Sequence, residues 1–380
     1  MSDGPLAVVG VGSVGSMALW QASKLGVPAV GFEAVSPAHP RSAVGGDTRL
    51  FRMTYRGEHN LYPLLQLAER RWRALEEESG QEILVRCGGL SIGETDGPYI
   101  PALLDSIKRT GAPYQILDHA EMASCYPQHR LSPGECGVLD ARAGVLRTDR
   151  AVLSAIDVAR QNGAQVVKDA RVREVRELSD GVRVSTDDES WTFDRVIVAS
   201  GSGSGPLLPA HLQRQVLRKR IFLTWFAARD PEQFVPNAFP IFIRITGDRS
   251  MYGAPTIDGS TVKATLDGRG ATVADGDTVA RELTPAEVVE SVDTAQDFFP
   301  GLIPEIVRSD AYPDLYTSDS IGLLGPVPGS ERVYCATGFS GAGFKMSSAL
   351  GAIAAAESLG LGPLVDGLDF LRPERFTSAG

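Results

Sequence analysis

The sequence predicts an α/β protein in which a βαβ nucleotide-binding domain is interleaved along the chain with an α+β domain built largely on antiparallel strands. Three observations carry this reading. A glycine-rich turn joins an apolar strand to a helix near the start of the chain, an apolar strand near residue 195 follows a helix and a hairpin, and the stretch from about 213 to 275 is dense in strands.

Residues 6–9 (LAVV) form the first strand, and Gly10, Gly12 and Gly15 follow in the pattern GxGxxG, with Val14 inside it. The helix-forming SMALWQASKLG comes next with a stop at Gly26, and AVGFE is a second strand closing on Glu33. Strand, glycine turn, helix, strand and acid in this order make a Rossmann-type unit. Its backbone N–H groups and helix N-terminus take a pyrophosphate, and its acid accepts the ribose hydroxyls of an adenosine. NAD, NADP and FAD all bind such units; an acid at position 33 disfavours the extra phosphate of NADP.

The polar segment AVSPAHPRSAVGGDTRLFRMTYRG then gathers Arg41, Arg49, Arg52 and Arg56. Arg41 and Arg56 read as solvated loop residues, while a GGDTRLFR loop leaving a nucleotide fold is also a place where cations face a ligand anion. YPLLQLAERRWRALEEESG is helical, as is AVLSAIDVARQNG; ARVREVREL and GVRVSTDD alternate as a hairpin, and RVIVASG returns to the nucleotide domain. RIFLTWFAA, FPIFIRI, SMYGAP and STVKATL supply the antiparallel strands. Thr284, Pro285 and Glu287 form a capping box, with proline at the first helical position, ahead of a helix. The expected division is 1–84, 143–212 and 315–380 for the nucleotide domain, and 85–142 and 213–314 for the second domain. No internal repeat or low-complexity linker interrupts it.

The 380 residues carry a formal charge of -10, and the sequence pI is near 5.1, which argues against a nucleic-acid partner. Cys87, Cys125, Cys136 and Cys335 have no metal-ligand or disulfide spacing, so reduced thiols and no metal are expected. The chain starts acidic, runs directly into a strand, and has no apolar run near the roughly 20 residues that span a bilayer. A cytoplasmic enzyme without membrane association is expected, with His39, His59, His119, His129 and His211 at the surface.

A second glycine turn lies in CATGFSGAGFKMSSALG, residues 335–351. Residues 333–336 read as a strand, Gly338, Gly341 and Gly343 permit close backbone approach, and MSSALGAIAAAESLG starts a helix. A packing loop with tight turns is one reading. The other is FAD, whose isoalloxazine ring must be held by a part of the chain distant from the pyrophosphate loop, with a helix N-terminus facing its electron-rich end.

VVGVGSVG, GGDTRLFR, YGAP followed by VK, DLYTSD and GFSGAGFKMSS run in one order through nearly the whole chain. On these motifs the sequence resembles the monomeric sarcosine oxidase and N-methyltryptophan oxidase family of flavin amine oxidases, within the D-amino-acid oxidase superfamily. The resemblance implies an FAD domain of discontinuous segments and a substrate domain with a mixed, largely antiparallel sheet. It implies that Thr48 and Arg49 sit near the flavin ring, that Arg52 and Lys345 bind the substrate carboxylate, and that Tyr252 lines the substrate pocket. It places Lys263 near ring N5, as the group that promotes reaction with oxygen. A guanidinium fork and an ammonium point charge around one carboxylate make chemical sense. Without the family, Lys263 reads as a surface lysine and Tyr252 as a core aromatic. The expected cofactor contacts are Gly10, Gly12, Val14, Gly15, Glu33, Ser42, Thr48, Arg49, Val172, Gly201, Tyr316, Gly338, Phe339, Gly341, Gly343, Phe344 and Lys345.

The sequence also departs from that family. The family's flavin is linked through a cysteine two residues before the tyrosine of a YT step; here Asp314 precedes Leu315, Tyr316 and Thr317, so FAD is expected to be non-covalent. Gly45, Asp267 and Ala342 replace family histidines. Asp267 is expected either to meet an extra cationic or hydrogen-bonding group of the substrate or to face solvent in the turn LDGRG. The expected activity is FAD-dependent oxidation of a secondary or N-methylated amino acid at its CH–NH bond, giving an imine and, from O2, hydrogen peroxide. Nearby cations disfavour the ammonium form of the substrate and so replace a dedicated base. The alternatives are a same-fold dehydrogenase with another acceptor, an oxidase of primary or cyclic amino acids, a flavin-binding protein without turnover, and an NAD dehydrogenase, which is weakened by the lack of a second nicotinamide half. A monomer or small homo-oligomer is expected.

Overall fold

The computed structural model describes residues 5–55, 59–268, 270–274 and 279–377. Arg56 of the arginine-bearing segment, Arg269 of the LDGRG turn and the acidic start of the chain lie outside the described residues.

A six-stranded sheet runs in the order Leu323–Pro326, Val333–Thr337, Arg195–Val198, Leu6–Val9, Ala29–Phe32 and Gln165–Val167. Its neighbours pair in parallel except at Leu323–Pro326. The two-residue period of a strand divides its side chains between two cores. Leu6 and Val8 pack with the helices Ser13–Lys24, Thr148–Gln161 and Gly343–Ser358, whereas Ala7 and Val9 pack against the antiparallel meander Glu174–Glu177, Val182–Ser185 and Ser190–Phe193. The meander has one strand more than the expected hairpin. Its first strand begins at Glu174, within the run read as a hairpin arm, while Ala170 at the start of that run donates its N–H to Glu33 O (2.9 Å) beside the first sheet.

The second, nine-stranded sheet runs Ala271–Val273, Val216–Ala228, Thr261–Leu266, Arg249–Ala254, Ile241–Thr246, Gly89–Glu94, Glu135–Asp140 and Gln115–Leu117, with Leu302–Thr317 also paired to Val216–Ala228. Ile241–Thr246 and Gly89–Glu94 are parallel, and the other pairs are antiparallel. Strands of the two sheets alternate along the chain, so the architecture is interleaved. A small three-stranded sheet pairs Gly144–Arg147 with Thr48–Phe51 and Leu84–Arg86. Half of GGDTRLFR is therefore a strand rather than the expected loop. The capping box forms as read: Thr284 Oγ1 accepts the Glu287 N–H, and the Glu287 carboxylate accepts the Thr284 N–H.

Surface placement holds for His119 but fails for His129; His39 and His211 are half-buried, and the His59 side chain lies outside what is described. His129 is 3% exposed, stacks on Phe239 (centroids 5.1 Å) and meets Phe242 and Phe299 edge-on. Neither ring nitrogen has a hydrogen-bond partner among the described residues. Burial first, then the Arg244 cation, hold its pKa well below 6.5, while Arg244 itself pairs with the buried Glu135 (2.5 Å). The unfolded chain therefore binds a proton below pH 6.5 that the folded chain refuses. Stability is full above pH 6.5 and falls below it by up to about 1.4 kcal/mol per pH unit until the folded pKa is reached. A His129→Phe variant is expected to show a flatter loss of Tm between pH 6.5 and 5; a slope matching the parent would contradict this.

Candidate active site

The parallel strands Leu6–Val9 and Val333–Thr337 each feed, through a glycine turn, into a helix whose N-terminus no side chain caps. The first turn is shaped by its own backbone. Gly10 sits at φ +87°, and a Cβ on it would lie 2.4 Å from Ser200 Cα; a Cβ on Gly15 would lie 1.8 Å from Gly10 O. Gly12 differs, because the nearest atom to its Cβ position is Val44 Cγ2 at 3.9 Å. The chain itself does not forbid a side chain there, and the open space lies at an uncapped helix N-terminus. Glu33, 7% exposed, accepts the Val11 N–H (3.1 Å) and the Val35 N–H (3.3 Å); burial raises its pKa, and these N–H groups oppose the rise. Each carboxylate oxygen keeps a lone pair for a hydroxyl. An uncapped helix N-terminus, an open glycine and a buried acid suit the pyrophosphate and ribose of a dinucleotide.

A cavity of about 610 Å³ opens between the two sheets. It gathers Val14, Thr48, Arg49, Arg52, Gly201, Tyr252, Lys263, Asp267, Tyr316, Gly338, Phe339, Gly341, Gly343, Phe344 and Lys345, together with Asp314. Gly10, Gly12, Gly15, Glu33, Ser42 and Val172 lie outside its lining. Ser42 donates to His39 O (3.0 Å) and accepts from the Val44 N–H (3.3 Å), so its hydroxyl is used within its own loop. Val172 is half-buried against the meander core. The helix after the second turn starts at Gly343, which puts Lys345 in its first turn.

Strand alternation decides where Lys263 points. Val262, Ala264 and Leu266 belong to the hydrophobic core on one face of the second sheet, so Lys263 must take the other. It is 2% exposed, which removes the surface reading. Its Nζ donates to Gly46 O (2.6 Å) and Thr48 O (2.8 Å) and stands 5.0 Å from the Trp225 ring centroid. These contacts offset the desolvation of a buried ammonium. Burial, and then Arg49, still pull its pKa well below the usual lysine value, with Asp47 opposing.

Arg49 organises the loop beside it, donating to Thr48 O (2.7 Å), Ala43 O (2.6 Å) and Gly45 O (2.8 Å). Burial lowers its pKa, and Tyr252, Tyr312 and Asp314 oppose this. A Cβ at Gly45 would lie 2.2 Å from Tyr312 Cε1, so the buried Tyr312 ring fills the space that a side chain at 45 would need.

Arg52 lies over the Tyr55 ring (4.1 Å), and Lys345 Nζ donates to Tyr55 Oη (2.9 Å) and Ala342 O (3.3 Å). Burial works against the Arg52 charge, but Tyr55 and Tyr99 more than offset it and leave its pKa above the ordinary value. Asp314 accepts the Leu315 N–H (2.8 Å); burial raises its pKa against that bond and the Arg49 cation. Burial also raises Tyr252, and it pushes Tyr316, with help from Asp314 and Asp267, up to about 12. Asp267 is exposed at the cavity edge, its N–H donating to Ser250 O (2.9 Å).

Tyr55, Trp225 and Tyr312 complete the site without having been singled out in the sequence. Tyr55 was within reach, three residues after Arg52 in RMTYR. Trp225 becomes visible only through its strand register opposite Lys263.

Residues 5–357 match the model of a family described as FAD dependent oxidoreductase. The chain is 27% identical over 377 residues to the N-methyl-L-tryptophan oxidase of Citrobacter koseri, covering 98% of this chain and 99% of that one. It is 26% identical over 381 residues to the monomeric sarcosine oxidase of Streptomyces avermitilis, covering 98% and 97%. Among solved structures it resembles the open form of NikD, an unusual amino acid oxidase essential for nikkomycin biosynthesis (TM-score 0.86, 19% identity, 97% of each chain). It also resembles the L-proline dehydrogenase of P. horikoshii (TM-score 0.84, 18% identity, 98% and 97%). At these identities the structural likeness speaks to the fold alone. With the dinucleotide turn, the closing acid and a cavity lined by the second glycine turn all in place, the chain belongs to the FAD dependent oxidoreductase family and is an enzyme of that family.

Proposed function

We propose that this enzyme oxidises the CH–NH bond of a secondary or N-methylated amino acid to an imine, with O2 as acceptor and hydrogen peroxide as the second product. The observation that carries this reading is the meeting of Arg52 and Lys345 on one tyrosine in the wall of the cavity. Two cations so placed fit one carboxylate. The relatives named as oxidases of N-methyl-L-tryptophan and sarcosine support it.

Bound FAD supplies the two-electron oxidation and the return of electrons to O2. Gly12 and the helix Ser13–Lys24 would hold its pyrophosphate, Glu33 its ribose hydroxyls, and residues 338–343 its ring. Arg52 and Lys345 hold the substrate by its carboxylate, which leaves the amine end to be oriented by Tyr252 and Tyr316. The positive potential of Arg49, Arg52 and Lys345 disfavours an ammonium in the cavity, so the amine gives its proton to solvent without a side-chain base. Lys263 stabilises negative charge that develops beside it during oxygen reduction. Its presence favours an oxidase over a dehydrogenase, and peroxide yield under air separates the two. Asp267 at the cavity edge meets a cationic or hydrogen-bonding group of the substrate; an Asp267→Ala variant with unchanged substrate preference would remove that role.

Non-covalent FAD is part of the proposal. Asp314 lines the cavity, and no cysteine does so among the described residues. Burial pushes the Cys87 thiol up to about 11 and the Cys335 thiol up to about 12, far from thiolate reactivity. Acid precipitation is expected to release the yellow colour into the supernatant; a coloured pellet would show a covalent link.

The domain division 1–84, 143–212 and 315–380 against 85–142 and 213–314 belongs to the same proposal, with the strand Leu302–Thr317 running across its last boundary. The four free cysteines support a cytoplasmic setting, and among the described residues no helix is long and apolar enough to cross a membrane. We take the working unit to be a monomer or small homo-oligomer. The function is tested by anaerobic screening of N-methylated and cyclic amino acids for loss of oxidised-flavin absorbance, followed by peroxide assay under air. Bleaching by none of them would refute the proposal.

A further inference from the structure

Tyr55 touches both cations of the proposed carboxylate site, yet it carries no charge itself. Its ring lies under the Arg52 guanidinium (4.1 Å), and its hydroxyl accepts from Lys345 Nζ (2.9 Å), which also stands 5.2 Å from the ring centroid. Lys345 Nζ also donates to Ala342 O, at a longer 3.3 Å. Tyr55 is itself well anchored. The two residues before it donate their N–H groups to the buried Asp140 carboxylate, Met53 at 2.7 Å and Thr54 at 3.2 Å.

Two like charges at one end of a cavity repel, and long side chains swing apart unless something fixes them. An aromatic face suits a guanidinium, and a phenol oxygen suits an ammonium, so one tyrosine holds both without neutralising either. Among the described residues Arg52 Nη1 is buried and has no hydrogen-bond partner, an unmet donor on a side chain that lines the cavity. A carboxylate supplies the missing acceptor.

Resting on the amino-acid reading above, we propose that Tyr55 is the positioning residue of the anion site, holding Arg52 by its ring and Lys345 by its hydroxyl so that both converge on one substrate carboxylate. The two halves of this role separate by substitution. Tyr55→Phe removes the hydroxyl, which accepts from Lys345 and also supports the Arg52 charge, and keeps the ring under Arg52; Tyr55→Leu removes hydroxyl and ring together.

The test is equilibrium titration of the FAD-loaded enzyme with propionate, followed by the perturbation of flavin absorbance, for the parent, Arg52→Met, Tyr55→Phe and Tyr55→Leu. The dissociation constant is expected to rise about 10-fold in Tyr55→Phe and about 100-fold in Tyr55→Leu and Arg52→Met, in line with the loss of one or more charge-assisted contacts. The Tyr55→Phe variant should keep its Tm and FAD content and, with an oxidisable amino acid, raise KM while kcat stays within about threefold. A role confined to packing would move Tm and leave propionate affinity alone. If Arg52→Met binds propionate as the parent does, the carboxylate site itself is wrong. If Arg52→Met loses propionate while Tyr55→Phe keeps parental or tighter affinity, the site stands and the Tyr55 role is overturned. Should Tyr55→Leu fail to fold, Tyr55→Phe decides alone.

Discussion

Replacing Lys263 with methionine is expected to slow peroxide formation under air by about 100-fold or more, while anaerobic bleaching by the same substrate changes by less than about tenfold. A 100-fold loss corresponds to about 2.7 kcal/mol, the scale of one preorganised electrostatic stabiliser in a dry site. The ammonium is already fixed by Gly46 O and Thr48 O, so it need not reorganise when negative charge appears beside it. Because burial and Arg49 hold its pKa well below the usual lysine value, the effect has a pH signature. The charged form prevails below that depressed pKa, so oxygen turnover should decline as pH rises through it, earlier than an ordinary lysine would dictate, and Lys263→Met should lack that limb. Turnover with an artificial dye acceptor provides the control. Equal losses with oxygen and dye would mean that Lys263 serves folding or substrate binding instead.

The second large effect concerns the first glycine turn, where two glycines serve different ends. Gly15→Val forces a side chain into Gly10 O, which lies 1.8 Å from the Cβ position, and the strand cannot pass into its helix without rearranging. This variant should lose FAD almost entirely and also melt earlier as the apoprotein. Gly12→Ala meets nothing closer than 3.9 Å, so its apoprotein should melt with the parent. Its FAD affinity should still fall by roughly 10-fold or more, because the methyl occupies the approach to the helix N-terminus. Apoprotein Tm and FAD titration of the two variants check this. A Gly12→Ala enzyme with parental FAD affinity would show that the open space is not the pyrophosphate site.

The nucleotide unit was legible because its signals are local. The strand Leu6–Val9, the turn, the helix and Glu33 lie within 28 residues and depend on neighbours in sequence. The antiparallel strands were legible from alternation, and Lys263 owes its direction to the same period. Other features depend on partners far along the chain. Thr48–Phe51 is a strand because Gly144–Arg147 pairs with it. The 16-residue strand Leu302–Thr317 carries Pro304 and Pro313, a residue type disfavoured inside sheets; among the described residues its one ladder is with Val216–Ala228, and the bridge on its other edge, Tyr316 to Phe339, lies beyond both prolines. His129 looks polar in sequence and becomes core only when Phe239, Phe242 and Phe299 close around it. Within the site, Arg49, Arg52, Lys263 and Lys345 were legible through the family motifs that carry them, since Lys263 taken alone reads as a surface lysine. Tyr55, which touches Arg52 and Lys345, and Tyr312, whose ring fills the space at Gly45, are ordinary aromatics until the packing is known.

The proposed recognition is of an amine through its attached carboxylate. It is tested most directly by comparing anaerobic flavin bleaching by an N-methylated amino acid and by its methyl ester, which keeps the amine and side chain and removes the anion. The acid is expected to bleach at least about 100-fold more efficiently than the ester in the parent enzyme, and Arg52→Met to abolish most of this preference. Equal efficiency for acid and ester in the parent enzyme would contradict it.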